Sequence, residues 1–430
     1  MGHNSKDDKA LTRRDLIGKG GKLAGSLMLA PWLLNLGEHQ AKASQRLVVP
    51  NRQVSGDEVL MGLYPRQLAA DGDVALTQAM QWMDFSWLSQ GDSVFIKVAS
   101  NSPNVHPAVS SPRGLAALVR GLYERGAGEV IVGDQAGVQW VRSAVGGQRY
   151  GSTRETFQAN GLYEAALSEG ARLHFFDDEP YESGYVSGGI SFGNNYWGEA
   201  PKIARITQQV DHIVYLCRLS SHMIAGYTHG HKTAIGWLRD DSRFHLHNKA
   251  NTFHEKYVEV NYLDQIRERL RLTVCVSESF MLDQGPDEGT VAEADPIVVL
   301  ASENMANHDA LGVGILRWID GLTPKDPDVK TPYGPRANLY NFGLVKAGAS
   351  AASGIPWGNA PTRSYRMLDA HDYQEGLSYD RALTRAYEIL GGVPNDIPIA
   401  LAGTPPSPGL YDGLQEYGDG IFSYSGVETD

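Results

Sequence analysis

Apolar runs of strand length alternate with helix-periodic segments through the middle of this chain, and that alternation limits its fold more than any other feature. Val94-Phe95-Ile96-Lys97-Val98 reads as a first core strand. A polar loop follows, then Ser111-Pro112 as N-cap and first helical position. Leu115, Leu118, Val119 and Leu122 recur at helical spacing, and Gly126 is a natural stop. Glu129-Val130-Ile131-Val132 is the next strand, so the unit predicts a parallel pair with a right-handed crossover. The pattern repeats. Ser152 with Glu155 forms a capping box for a helix divided by Gly161 and ended by Gly170, before a strand over 172–176. A strand at 212–216 follows. Thr252 with Glu255 opens a helix whose apolar face runs through Phe253, Tyr257, Val260, Leu263, Ile266 and Leu270. Strands at 272–276 and 297–301 complete the series. The expected fold class is therefore α/β, with a mainly parallel sheet and helices on both faces.

The ends of the chain differ from this core. Thr12-Arg13-Arg14-Asp15-Leu16-Ile17 has the form of a twin-arginine export signal, with an apolar run from Leu23 to Leu36 and an A-x-A site at Ala41-Lys42-Ala43. Gly25, Pro31 and Gly37 interrupt a run already too short to span a bilayer, so residues 1–43 are expected to be a removed signal. The expectation is a periplasmic protein with the Tat export machinery as a partner and no stable membrane span after signal removal. Residues 44–320 form the expected α/β domain. From about Thr323 prolines, glycines and tyrosines become common, and 321–430 reads as a loop-rich extension packed on the core, with one helix over 382–390 and loop over 403–413. A formal net charge of −12, with no basic block after the signal, argues against nucleic acid as a partner. Two cysteines, Cys217 and Cys275, read as a pair or as buried thiols and exclude a four-cysteine iron–sulfur cluster within this chain.

Ligands of parallel sheets bind beyond the carboxyl ends of the strands. There this chain places Lys97, Asp134, Asp177 and Asp178, and a run of histidines. His222, His229, His231, His245, His247 and His254 put six of the thirteen histidines within 33 residues, directly after the strand at 212–216. Imidazole is the commonest metal ligand. His229-x-His231 and His245-x-His247 converge only on an extended backbone, because i and i+2 point apart on a helix. The alternative is a set of solvated or half-buried histidines. Gly133-Asp134-Gln135-Ala136-Gly137 lacks both nucleotide-loop patterns and reads as a tight turn.

Several of these segments together resemble the DUF362 family of bacterial and archaeal proteins. They are Val94-Phe95-Ile96-Lys97, Gly126 to Asp134, Ser221-His222, His231-Lys232-Thr233-Ala234-Ile235-Gly236, His245-Leu246-His247, Leu282-Asp283-Gln284-Gly285-Pro286 and His308-Asp309-Ala310. By position, the resemblance implies roles for Lys97, His222, Lys232, one of His245 or His247, Asp283 and Asp309. The chain departs from the family pattern at Ser220-Ser221 and at Thr233, where asparagine is usual. It also lacks the ferredoxin-like cysteine motifs of some members.

These readings combine into an expected exported, metal-dependent enzyme acting on a small-molecule substrate, reaction type open. A divalent transition metal would be held by ligands from His222, His229, His231, His245, His247 and Asp283, with Lys97, Lys232 and Asp134 as the catalytic residues: the two lysines bind substrate anion charge or move a proton, and Asp134, like Asp283, offers an oxygen to the metal or to its ligands. The competing expectations are a metal-binding or delivery protein without turnover and an accessory protein of an exported redox assembly.

Overall fold

The protein is described from a computed structural model, over residues 53–247, 250–283, 285–287, 289–324, 339–341, 350–351, 353–356, 364–366 and 372–425. Eleven strands form one sheet: β1 (Val59–Tyr64), β2 (Ser93–Val98), β3 (Glu129–Asp134), β4 (Arg172–Phe175), β5 (His212–Cys217), β6 (Ser220–His222), β7 (Gly226–Thr228), β8 (Leu270–Leu282), β9 (Thr290–Ser302), β10 (Ile397–Gly403) and β11 (Phe422–Ser425). Their order is β11-β10-β1-β9-β8-β5-β2-β3-β4, with the hairpin β6-β7 attached beside β8. The block β8-β5-β2-β3-β4 is parallel throughout. This is the α/β class the alternation implies, with the strands where the apolar runs lie.

Along the central strands successive side chains face opposite sides of the pleat and enter two different cores, so these strands are buried almost throughout. Val94, Ile96 and Val98 join Leu115, Leu118 and Leu122 of helix α1 (Pro112–Glu124) in one core. Phe95, Ile213, Tyr215 and Cys217 face the other core, closed by helices α4 (Phe253–Asn261) and α5 (Met305–Leu322). Ser111 Oγ accepts from Gly114 N at 3.0 Å with Pro112 inside the first turn, so α1 starts where its cap signals place it.

Four sequence expectations need correction. Thr252 makes no side-chain cap, and the helix it precedes ends at Asn261, so Leu270 belongs to β8 instead. The strand at 297–301 lies in β9, which runs antiparallel to both β8 and β1. Helix α6 (Arg381–Leu390) occupies the expected segment, but 403–413 is not loop throughout: helix α7 (Pro408–Gly418) begins there, capped by Ser407. The same stretch of chain adds β10 and β11 to the sheet, β10 pairing directly with β1. The reading of 1–43 as an export signal lies outside the described residues. No helix among the described residues is long and apolar enough to cross a membrane.

Lys97 and Asp134 end neighbouring parallel strands and meet inside the protein. Lys97 Nζ lies 2.6 Å from Asp134 Oδ1 and donates to the carbonyls of Val98 (2.9 Å) and Thr233 (2.8 Å), which uses all three protons. Asp134 also accepts from the N–H groups of Ser100 and Gln135. Burial pushes the Lys97 pKa down and the Asp134 pKa up, while their mutual attraction opposes both shifts. Removing one partner leaves a buried charge alone. Lys97→Met is therefore expected to cost about 3–5 kcal/mol in urea unfolding, and the Lys97→Met/Asp134→Leu pair clearly less than the sum of the singles. A single-variant loss under about 1 kcal/mol would show that the pair contributes nothing to the fold.

Candidate metal centre

Strand β5 delivers Cys217 to the core, and the β6-β7 hairpin turns the chain back to His229. His229 is extended (φ −149°, ψ −152°) and precedes the one-turn helix α2 (Gly230–Thr233) without capping it. The cap comes from α5 instead: Asp309 Oδ1 accepts from Gly230 N at 2.9 Å and Oδ2 from His231 N at 2.8 Å. These are the first N–H groups of α2, which lack partners inside any helix and favour a negative charge. A Cβ on Gly230 would sit 2.5 Å from Asp309 Oδ1, so only glycine lets the carboxylate approach.

Three imidazoles gather around that carboxylate. His231 Nδ1 is 2.8 Å and His308 Nδ1 3.0 Å from it, and His229 Nε2 lies 3.8 Å away. The His229 and His308 rings stack with centroids 4.4 Å apart. His229 Nδ1 contacts the Arg218 carbonyl at 3.2 Å and Cys217 Sγ at 3.5 Å. One ligand atom from each of Cys217, His229 and His308 falls within 4.8 Å of the other two, and all three residues are fully buried.

The donor set fits a metal ion. His229 Nε2 and His308 Nε2 are buried with no hydrogen-bond partner, which costs free energy that a bound cation would remove. His308 donates Nδ1–H to Asp309, leaving Nε2 as the lone-pair atom, the arrangement in which a carboxylate orients a metal-binding imidazole. One thiol and two imidazoles suit zinc or a similarly soft ion. Cys275 pairs directly with Cys217 across the strands. Burial pushes the Cys217 thiol up, whereas hydrogen bonds from Cys217 and His229 pull Cys275 well below the usual thiol range against its own burial. Burial works against the imidazolium of His229, yet Asp309 and Cys275 raise its pKa to about 9.

The expected ligands divide in space. His229 and His231 share Asp309, but His231 has both ring nitrogens engaged, the second with Tyr262 OH at 3.2 Å. His222 Nδ1 accepts from Ile224 N and Ala225 N and closes its own turn. His245 is exposed, stacks on Trp197 and lies 3.1 Å from Lys256 Nζ. His247 follows helix α3 (Asp240–Leu246) and contacts the Arg243 carbonyl at 2.7 Å. A helical backbone there overturns the expectation of an extended His245-x-His247 pair. Asp283 accepts from Thr290 Oγ1 at 2.5 Å in the β8-β9 turn. Cys217 and His308 were not among the expected ligands.

Lys232 lies in α2, the one-turn helix that His229 precedes. Burial and the charges of Arg218 and Arg243, against the pull of Asp287, push its pKa from 10.5 to about 7. The folded lysine then releases its proton before the unfolded one does. Its cost to stability is full below about pH 7 and fades towards pH 10.5. Lys232→Met is expected to raise the urea midpoint at pH 6 and to match the parent near pH 10.5, a narrowing that paired unfolding curves would detect.

The sequence profile of a domain of unknown function, DUF362, matches residues 94–314, just over half of the chain. No curated protein matches. Eight chains of solved structures match. One is a crystal structure of a protein from Thermotoga maritima, at 12% identity and a TM-score of 0.33, covering 53% of each chain. Another is the lactate racemase apoprotein from Thermoanaerobacterium thermosaccharolyticum, at 14% identity and a TM-score of 0.35, covering 61% of this chain and 57% of that one. The chain thus spans little more than half the length of these two structures.

Proposed function

This chain belongs to the DUF362 family, and from that premise we propose that it is a metal-dependent enzyme acting on a small molecule. The observation that carries the reading is the meeting of Cys217, His229 and His308 within 4.8 Å, with a buried nitrogen on each imidazole that makes no hydrogen bond. Three protein ligands leave a fourth position for water or substrate, as in catalytic zinc sites, where the ion polarises a carbonyl or lowers the pKa of bound water. Asp309 fixes the imidazoles and balances their charge. His229 and Lys232 share one helical turn, which ties the centre to a nearby cationic group. The twin-arginine-like segment supports action outside the cytoplasm after export.

Full burial of all three ligands favours a second reading, storage or delivery of the ion without turnover. The two are separated by loading the full chain with zinc and screening hydrolysis and isomerisation of small carboxylates and phosphate esters. The enzyme reading expects turnover that disappears with chelation, and Lys232→Ala that keeps the metal but loses turnover. Stoichiometric metal with no turnover across the panel would leave the storage reading.

A further inference from the structure

Around the ends of β5 and β3, cationic groups accumulate with few matching acceptors. Arg218, 1% exposed, is the first residue after β5. Its Nη1 donates to the carbonyls of Pro107 and Pro286 at 3.0 Å each, but its Nε is buried with no partner. Arg243 of α3, 3% exposed, donates Nη2 to the Ala136 carbonyl at 2.9 Å. Its Nε and Nη1 are buried without a hydrogen bond, Nη1 standing 3.6 Å from Asp240. A short run of contacts joins the two arginines: next to Ala136, Gly137 N donates to the Asn101 carbonyl at 2.8 Å, Asn101 holds Asp287, and Pro286 beside it takes Arg218. Lys232 adjoins Thr233, whose carbonyl takes Lys97 at the end of β2; it makes no hydrogen bond or ion pair among the described residues, and the charges of both arginines act on it. The carboxylate that opposes them at Lys232 is Asp287, which is itself engaged by Asn101 at 2.8 Å.

A chain with a formal net charge of −12 has carboxylates in excess, so three neighbouring cations served by so few acceptors are not a consequence of composition. Buried guanidinium N–H groups left unpaired cost free energy that an anion would recover. Guanidinium forks match planar or tetrahedral oxyanions and a lysine adds a point charge. All three residues stand beyond the carboxyl ends of the parallel strands, where such sheets take their ligands.

We propose that Arg218, Lys232 and Arg243 form a binding site for a compact oxyanion, a carboxylate or a phosphate group carried by the substrate. That the anion belongs to the substrate rests on the metal-enzyme reading above; the anion site itself does not.

The test is calorimetric titration of the full chain with inorganic phosphate and with oxalate below pH 7, at constant ionic strength in chloride, on both chelator-stripped and zinc-loaded protein. The expected result is saturable one-site binding of at least one oxyanion, with the tighter of the two identifying the carried group. Lys232→Met and Arg243→Met should each weaken it tenfold or more, while Arg172→Met, at an exposed ion pair, should not. Lys232→Met should also unfold at higher urea than the parent, so lost binding cannot be lost folding. Binding of neither oxyanion above chloride, or parent-like binding by both variants, would overturn the site. Oxyanion binding to protein that takes up no zinc would leave the site standing and sink the metal reading alone.

Discussion

Asp309→Ala is expected to destabilise the protein by about 3–5 kcal/mol, the range for stripping one partner from a buried ionic network. Asp309 accepts from Gly230 N, His231 N, His231 Nδ1 and His308 Nδ1 at 2.8–3.0 Å and neutralises His229 from 3.8 Å. Burial alone would raise its pKa, but the surrounding imidazoles hold it well below the usual carboxylate range. Without it, α2 loses its cap, His231 and His308 lose a buried hydrogen-bond partner, and His229 loses the carboxylate 3.8 Å from its Nε2. Asp309→Asn keeps an acceptor for the α2 cap and should lose less. Urea unfolding of metal-free protein checks both, and a loss below about 1 kcal/mol for the alanine variant would refute the network.

The second large effect concerns metal affinity. Cys217→Ala and His308→Ala should each weaken zinc binding by about 100-fold or more, since each removes a direct ligand where even outer partners are worth 10–100-fold. His222→Ala, His245→Ala and His247→Ala should leave it within about threefold, because their ring contacts are a turn, an aromatic face with a lysine, and a helix end. Competition with a chromophoric chelator reads all five. Equal losses across the set would mean a diffuse histidine surface, not a centre.

How much of this was legible in the sequence follows the range of the interactions. The parallel block and α1 were readable because β-branched runs and a Ser-Pro cap act locally. β1 and β10 were not, since short runs that pair with each other across more than 300 residues carry no local mark, and β11 pairs only with β10 and so depends on it. Histidine crowding between 222 and 254 marked the right region but the wrong set, because crowding in sequence is not convergence in space. The chain between those residues passes through β7, α2 and α3, which aim them differently. Cys217 looked like a buried thiol, and it is one. His308 joins it only through the packing of α5 on α2 and the sheet. Its one sequence signal was the His308-Asp309-Ala310 segment, where the family resemblance drew notice to the aspartate alone. Lys97 and Asp134 were rightly placed at strand ends, but their geometry is that of a closed pair with its protons spoken for.

The most direct measurement is anomalous diffraction at the zinc edge from crystals of the full chain grown with one equivalent of zinc. A single strong peak within bonding distance of Cys217 Sγ and a ring nitrogen of both His229 and His308 is the predicted result. A peak at His222, His245 or His247 with none beside Cys217, or no ordered zinc at all, would contradict it.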